Sequence, residues 1–109
     1  MIFPKIENTL KAITAKTHRT FAPEEEEPPY IVWDDDSQGE TLHGDGKMNC
    51  QVIEGTINLF TNDEDDQLFD QIQQGLNSAD VAFEYNSKQF EEDSGITHYE
   101  WVWNLPRGI

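Results

Sequence analysis

Ile53-Glu54-Gly55-Thr56-Ile57-Asn58-Leu59-Phe60-Thr61 is the stretch on which the fold turns. On an extended chain, Ile53, Ile57 and Leu59 fall to one side and Glu54, Thr56 and Asn58 to the other. That alternation predicts a strand over residues 48–61, buried on one face. Gly55 lies on the buried side, where the missing Cβ permits a bulge or the close approach of a helix.

Working toward the N-terminus, residues 34–47 are polar and contain Gly39, Gly44 and Gly46. They read as a hairpin connection, with short strand pieces around Glu40 to His43. Tyr30-Ile31-Val32-Trp33 supplies the partner strand, rich in β-branched and aromatic residues. Residues 20–29 hold four Glu and three Pro and read as an extended linker. Ahead of it, Phe3, Ile6, Leu10 and Ile13 make one apolar stripe, predicting an amphipathic helix from residue 3 to about 17. Pro4 suits its first turn. Lys11, Lys16 and Arg19 suit its negative C-terminal end.

Toward the C-terminus, Leu68, Phe69, Ile72 and Leu76 predict a second amphipathic helix, capped at Asn62 or Asp63 and stopping at Asn77. Val81, Phe83 and Tyr85 then alternate with Ala82 and Glu84 as a strand. Asn86-Ser87 is a candidate tight turn, and Ser94-Gly95 a second turn. In the closing strand Tyr99, Trp101, Trp103 and Leu105 share one face, and Pro106 ends it.

The predicted fold class is α+β: an antiparallel sheet of about four strands with two helices packed on one face, in the order α-β-β-α-β-β. At 109 residues the chain makes one domain. Its parts are an N-terminal helix over 1–19, an acidic, Pro-rich linker over 20–29, and a sheet with a central helix over 30–105.

Seven Lys and Arg stand against 22 Asp and Glu, a formal net charge of −15. Such a chain repels phosphate backbones and acidic lipid, so neither nucleic acid nor a membrane is expected as a partner. No apolar run reaches signal-peptide length or the roughly 20 residues of a membrane span. The lone Cys50 can form no internal disulfide, which suits a reducing compartment, the cytoplasm. The charge is uneven. Lys5, Lys11, Lys16 and Arg19 against Glu7 give residues 1–19 a net +3, whereas the remainder sets three bases against 21 acids, a net −18. Fourteen acids fall in four runs, Glu24 to Glu27, Asp34 to Asp36, Asp63 to Asp66 and Glu91 to Asp93, which read as solvated loops.

Catalytic patterns are lacking. His18, His43 and His98 stand apart, and none is set beside Ser or Cys in a triad-like arrangement. The expectation is a protein that is not an enzyme and carries no cofactor. His98 is expected to pair with a cross-strand neighbour. Asp34, Asp36 and Asp45, with Gly39 between, echo the alternating oxygen ligands of a calcium loop and are the candidate metal ligands. The flanking segment is strand-like and the last ligand is Asp rather than a longer bidentate Glu, so a solvated acidic hairpin is the preferred reading. Gly44-Asp45-Gly46-Lys47 is too short for a phosphate loop.

Several segments together resemble a known family. Pro29-Tyr30-Ile31-Val32-Trp33, Gly55 to Thr61 followed by an acidic helix start, and above all Phe83 to Asn86 with Glu91 to Trp103, resemble the small tail-terminator or tail-completion proteins of long-tailed phages and prophages. These are often filed as minor tail or minor capsid proteins. The resemblance spans roughly residues 28–105. It implies an α+β subunit without catalytic residues that forms a homo-oligomeric ring, commonly a hexamer. Such a ring caps the tail tube, stops its polymerisation and joins it to the head. Implied partners are tail-tube and head–tail connector proteins, and the implied locations are the host bacterial cytoplasm during assembly and then the virion tail. A neighbouring head–tail connector subunit is an alternative within that class. An acidic, DNA-mimicking phage inhibitor is an alternative outside it, disfavoured because its acids cluster in loops rather than being spaced like phosphates. The charge split nominates Lys5, Lys11, Lys16 and Arg19 as a positive face that meets an acidic face of the next subunit.

Overall fold

A computed structural model describes residues 3–44, 47–63 and 66–108 of the chain, and the side chains among them outside residues 37–50 and 107–108. The elements in order are α1 (Pro4–Ile13), β1 (Thr17–Arg19), β2 (Tyr30–Gly44), β3 (Lys47–Thr61), α2 (Gln67–Ser78), β4 (Ala82–Glu91) and β5 (Ile96–Gly108). They form one sheet with strand order β1-β2-β3-β5-β4. All neighbours are antiparallel except β1 and β2, which are parallel.

The α+β class stands, but the sheet has five strands and is mixed, and the order is α-β-β-β-α-β-β. The extra strand comes from the segment assigned to the first helix. The apolar stripe stops at Ile13, and the next position that would face the core is Thr17. Thr14 turns extended at φ −147 and ψ 137. Its hydroxyl accepts from Lys16 N at 3.2 Å, and Thr17 Oγ1 donates to Thr14 O at 2.8 Å. These side-chain bonds compete with the helix ladder and turn the chain so that Ile31 N donates to Lys16 O at 2.9 Å. Thr17, His18 and Arg19 then lie in register with Ile31, Val32 and Trp33.

Residues 34–44 are not a loop. β2 runs on opposite β3 to the pair Gly44 and Lys47, absorbing irregularities at three points. At about 3.3 Å per residue, fifteen residues span some 50 Å, which matches the 53 Å long axis of a molecule 25 and 24 Å across. β5 continues past Pro106, because its neighbour there is β3 alone, and a strand edge tolerates proline. Asn86-Ser87 is no turn: the register slips there, making a bulge inside β4. The second helix begins later than expected. Asp66 is its cap, accepting from Leu68 N at 2.9 Å and from Thr61 Oγ1 at 2.7 Å.

The core lies between the two helices and one face of the sheet. Ile6 and Leu10 of α1 and Ile72 and Leu76 of α2 pack over Ile31, Trp33, Ile57, Leu59, Trp101 and Trp103. Of the two uses expected for Gly55, a bulge is found, in the neighbouring strand, and the close approach is made by an indole of β5 rather than by a helix. Trp103 crosses over it, and the neighbouring β2 slips register between Asp35 and Ser37 directly opposite. Trp103 Nε1 donates to Thr56 O at 3.2 Å and Trp101 Nε1 to Gln73 Oε1 at 3.0 Å. Trp33 Nε1 is buried and has no hydrogen-bond partner among the described residues.

Candidate functional site: the open face of the sheet

Among the described residues the chemistry-bearing side chains do not converge. His18 Nε2 meets Glu26 Oε2 at 2.5 Å on the β1 edge. His98 lies three strands away, its Nε2 2.7 Å from Asn58 Oδ1. Asn58 Nδ2 donates to Val32 O at 3.3 Å, which leaves Oδ1 as the acceptor and gives His98 the Nε2–H tautomer. The imidazole does pair across strands, diagonally. Half-burial is the first cause holding its pKa below the ordinary 6.5, with nearby Glu100 opposing it. His43 lies where side chains are not described. Among the described residues, no three His, Cys, Asp or Glu are placed to hold a metal ion. Of the candidate ligands, Asp34 accepts from the backbone N of Asp35 at 2.9 Å, Asp36 falls in the β2 irregularity, and Asp45 lies outside the described residues.

Three of the four nominated bases meet acids of their own chain. Lys11 pairs with Glu7 at 3.2 Å. Lys16 donates to Glu27 O at 2.9 Å and lies 3.8 Å from Glu26. Arg19 pairs with Asp35 while its guanidinium rests on the rings of Trp33 and Phe3, 5.0 and 5.9 Å from their centroids. Burial would raise the Asp35 carboxyl, but the hydrogen bond and charge of Arg19 and a backbone N–H outweigh it and hold it low. Lys5 is exposed on α1.

What the fold does build is a surface on the sheet face that carries no helices. Register sets Tyr30, Phe60 and His98 in one row across β2, β3 and β5. Tyr30 and Phe60 stack at 4.9 Å and 21°, and Phe60 and His98 at 4.3 Å and 17°. A concavity flanks the row on each side. One, of about 500 Å³, lies under the loop that returns from β1 to β2 and is lined by Phe21, Pro23, Glu24 and Glu26. The other, of about 460 Å³, lies against the β4–β5 turn and is lined by Gln89, Phe90, Ser94 and Ile96. Tyr30 and Phe60 belong to both. Phe21 is 77% exposed and Phe90 57%. Phe21 is presented by a strained turn, since Thr20, a β-branched residue, adopts φ 75. Burial, then the charge of Glu26, push the Tyr30 phenol above its ordinary pKa of 10.0.

Three acidic loops converge at this end of the sheet. They are the β1–β2 return, the β3–α2 connection and the β4–β5 turn. Their described acids are Glu24 to Glu27, Asp63, Asp66 and Glu91 to Asp93, and no Lys or Arg lies in residues 20–30, 60–66 or 89–98.

The architecture has a known counterpart. Over 93% of its length the chain is similar in fold to a chain in the virion of a native gene transfer agent particle. The match covers 90% of that chain, with a TM-score of 0.55 and 9% sequence identity. No family model and no curated protein matches.

Sequence reasoning found each acidic run but not their convergence, because three segments far apart in the chain meet only through the strand order. It also missed the aromatic row. Tyr30 and Phe60 read as parts of separate strands, and the cross-strand neighbour expected for His98 is not identified by the sequence. A signal was present: each is an aromatic ring on the polar side of its strand's alternation. No described helix is long and apolar enough to cross a membrane.

Proposed function

We propose that this protein is a structural component of a phage or prophage virion, and specifically a tail-terminator subunit that closes the tail tube as a ring and presents it to the head. The observation carrying the broader statement is the likeness in fold, over nearly the whole of both chains, to a virion component of a gene transfer agent particle. The finer statement draws support from the resemblance of residues 28–105 to tail-completion proteins. It fits a chain with one helix-covered face and one helix-free face bearing a stacked row of half-buried aromatic rings beside the exposed Phe21, a division suited to a subunit that must associate. In this reading the protein acts without catalysis. It would assemble in the host cytoplasm, touch tail-tube and head–tail connector proteins, and leave in the virion tail. A neighbouring head–tail connector subunit is the second reading, favoured by the same fold likeness.

Deleting the gene in the phage or prophage that encodes it tests both. A terminator's loss gives free heads beside tails of uncontrolled length under negative-stain electron microscopy, and complementation restores joined particles. A connector's loss gives free heads with tails of normal length. Intact particles of normal infectivity would refute the proposal.

A further inference from the structure

The open face ends in a trough rather than a closed cavity. Its two concavities share Tyr30 and Phe60, so they are continuous across the stacked row. From Tyr30 on β2, through Phe60 and His98, to Gln89 on β4, the trough crosses three strand spacings, about 14 Å at about 4.8 Å each. An extended chain rises about 3.3 Å per residue and shows the same side at every second residue. Positions i and i+4 of an extended segment therefore stand about 13 Å apart on one side, with i+2 between them.

Each end of the trough holds an exposed carboxylate that makes no ion pair among the described residues. Glu24 lies in the concavity under the β1–β2 return, and Glu91 in the one at the β4–β5 turn. Of the neighbouring bases, Lys16 is held by Glu27 O and Glu26. Arg19 and Lys88 lie over the rings of Trp33 and Tyr99, which belong to the helix-covered side. The trough thus sets aromatic rings beside carboxylates that nothing neutralises. A cation is attracted by such rings, and a guanidinium also bonds a carboxylate through two parallel N–H groups. Nucleic acid and acidic lipid are repelled. The described surface of a second copy offers no matching pair of cations, because its Lys11, Lys16 and Arg19 already meet Glu7, Glu27 and Asp35.

We infer that this trough docks an extended, basic segment of another protein. Cations at positions i and i+4 of the segment sit in the two concavities against Glu24 and Glu91, and an apolar residue at i+2 rests on the Tyr30–Phe60 row. Charge draws the segment in and sets its register, while the rings and the exposed Phe21 supply the contact. The inference deepens the reading of the chain as a virion component by giving the chemistry of what it touches, and it rests on that reading for the partner's place in the particle.

Isothermal titration calorimetry on the purified chain tests it. The probe is an end-blocked seven-residue peptide with arginine at its second and sixth positions, leucine at the fourth, and serine or glycine elsewhere. Saturable binding below millimolar peptide is expected. Moving the second arginine to the fifth position keeps composition and charge but turns that cation to the other side, and should weaken binding at least five-fold. Phe21→Ser should weaken it as much, and so should Glu24→Gln combined with Glu91→Gln. All three positions are exposed, so the fold is kept. Asp70→Asn with Asp80→Asn removes as much charge from exposed positions on α2 and just beyond it, and should leave binding unchanged. Absence of saturable binding, equal affinity for the two peptides, a Phe21→Ser protein that binds like the parent, or equal weakening by the two neutralised pairs overturns the inference. So does a parent that ignores the peptide yet self-associates until Phe21→Ser abolishes it, which gives the face to a second copy. Gene deletion is read on particles and peptide binding on the purified chain, so a failed docking surface is told apart from a failed virion role.

Discussion

Gly55→Ala should be the most damaging single methyl that can be added to this protein. A Cβ built there would stand 2.5 Å from Trp103 Cε2 and nearer still to the backbone oxygen of Asp34. Ordinary carbon contacts are about 3.5–4.0 Å. Neither neighbour can yield cheaply. The Asp34 oxygen belongs to the paired β2 backbone. The Trp103 indole is fully buried, with the rings of Phe3 at 5.4 Å and Trp33 at 6.5 Å, and tied by Nε1 to Thr56 O. Overpacking a tight core costs about 1–3 kcal/mol, and pushing the indole off its hydrogen bond adds about 1 kcal/mol. The expected loss is therefore about 2–4 kcal/mol, out of a total of roughly 5–15 kcal/mol for a domain of this kind. Urea unfolding followed by tryptophan emission is the assay. At an m-value of about 1–3 kcal/mol/M, the midpoint falls by at least about 0.7 M. Gly75→Ala is the control. There the added methyl meets only the flexible tips of Ile13 and Thr9, both at 3.2 Å. A gain in helix propensity of about 1 kcal/mol offsets the adjustment. If the two variants unfold at the same midpoint, the tight seat of Trp103 against β3 is wrong.

Three further outcomes are expected. Asp66→Ala removes the α2 cap and the partner of the buried Thr61 hydroxyl, lowering stability by about 2 kcal/mol; an unchanged thermal midpoint by circular dichroism would contradict it. Thr20→Gly relieves a left-handed β-branched residue worth about 1–2 kcal/mol, against about 0.5–1 kcal/mol of glycine entropy. A small net stabilisation should appear in the same urea assay, and a loss would show that φ 75 carries no strain. Burial keeps His98 neutral in the folded state, so the unfolded chain takes up a proton first as pH falls. Stability from this group is complete above the unfolded pKa of 6.5 and is lost as pH falls from there through the lower folded pKa. His98→Gln should flatten that part of a stability–pH curve measured by urea unfolding, and an unaltered slope would reject the assignment.

The elements with long alternation were legible. Residues 48–61, the second helix and the aromatic strand from Tyr99 to Trp103 fell close to where they were expected, because burial on one face leaves a periodic record. The misses have local causes. Thr17-His18-Arg19 is too short for any period, and its strand identity comes from pairing with residues 31–33. The stretch after Trp33 is glycine-rich and acidic, yet it stays extended because β3 supplies a partner along its whole length. At Asn86-Ser87, turn-forming residues met a strand already paired on one side, and they made a bulge instead. As for the site, Lys11 meets Glu7 within one helix, whereas the partners of Lys16 and Arg19 depend on how the return loop and β2 fold back against β1. The convergence of the acidic loops is a product of strand order, which no local pattern encodes.

Every indole of the molecule lies on its helix-covered side. Trp33, Trp101 and Trp103 are sealed between sheet and helices, while the open side offers only phenol, phenyl and imidazole rings along its stacked row. Light absorbed at the red edge of the protein band therefore samples the interior alone. Loss of the helical layer changes that emission at once, whereas a partner settling on the far side leaves it nearly untouched. The chain thus carries a built-in reporter of its own integrity that is blind to what it touches.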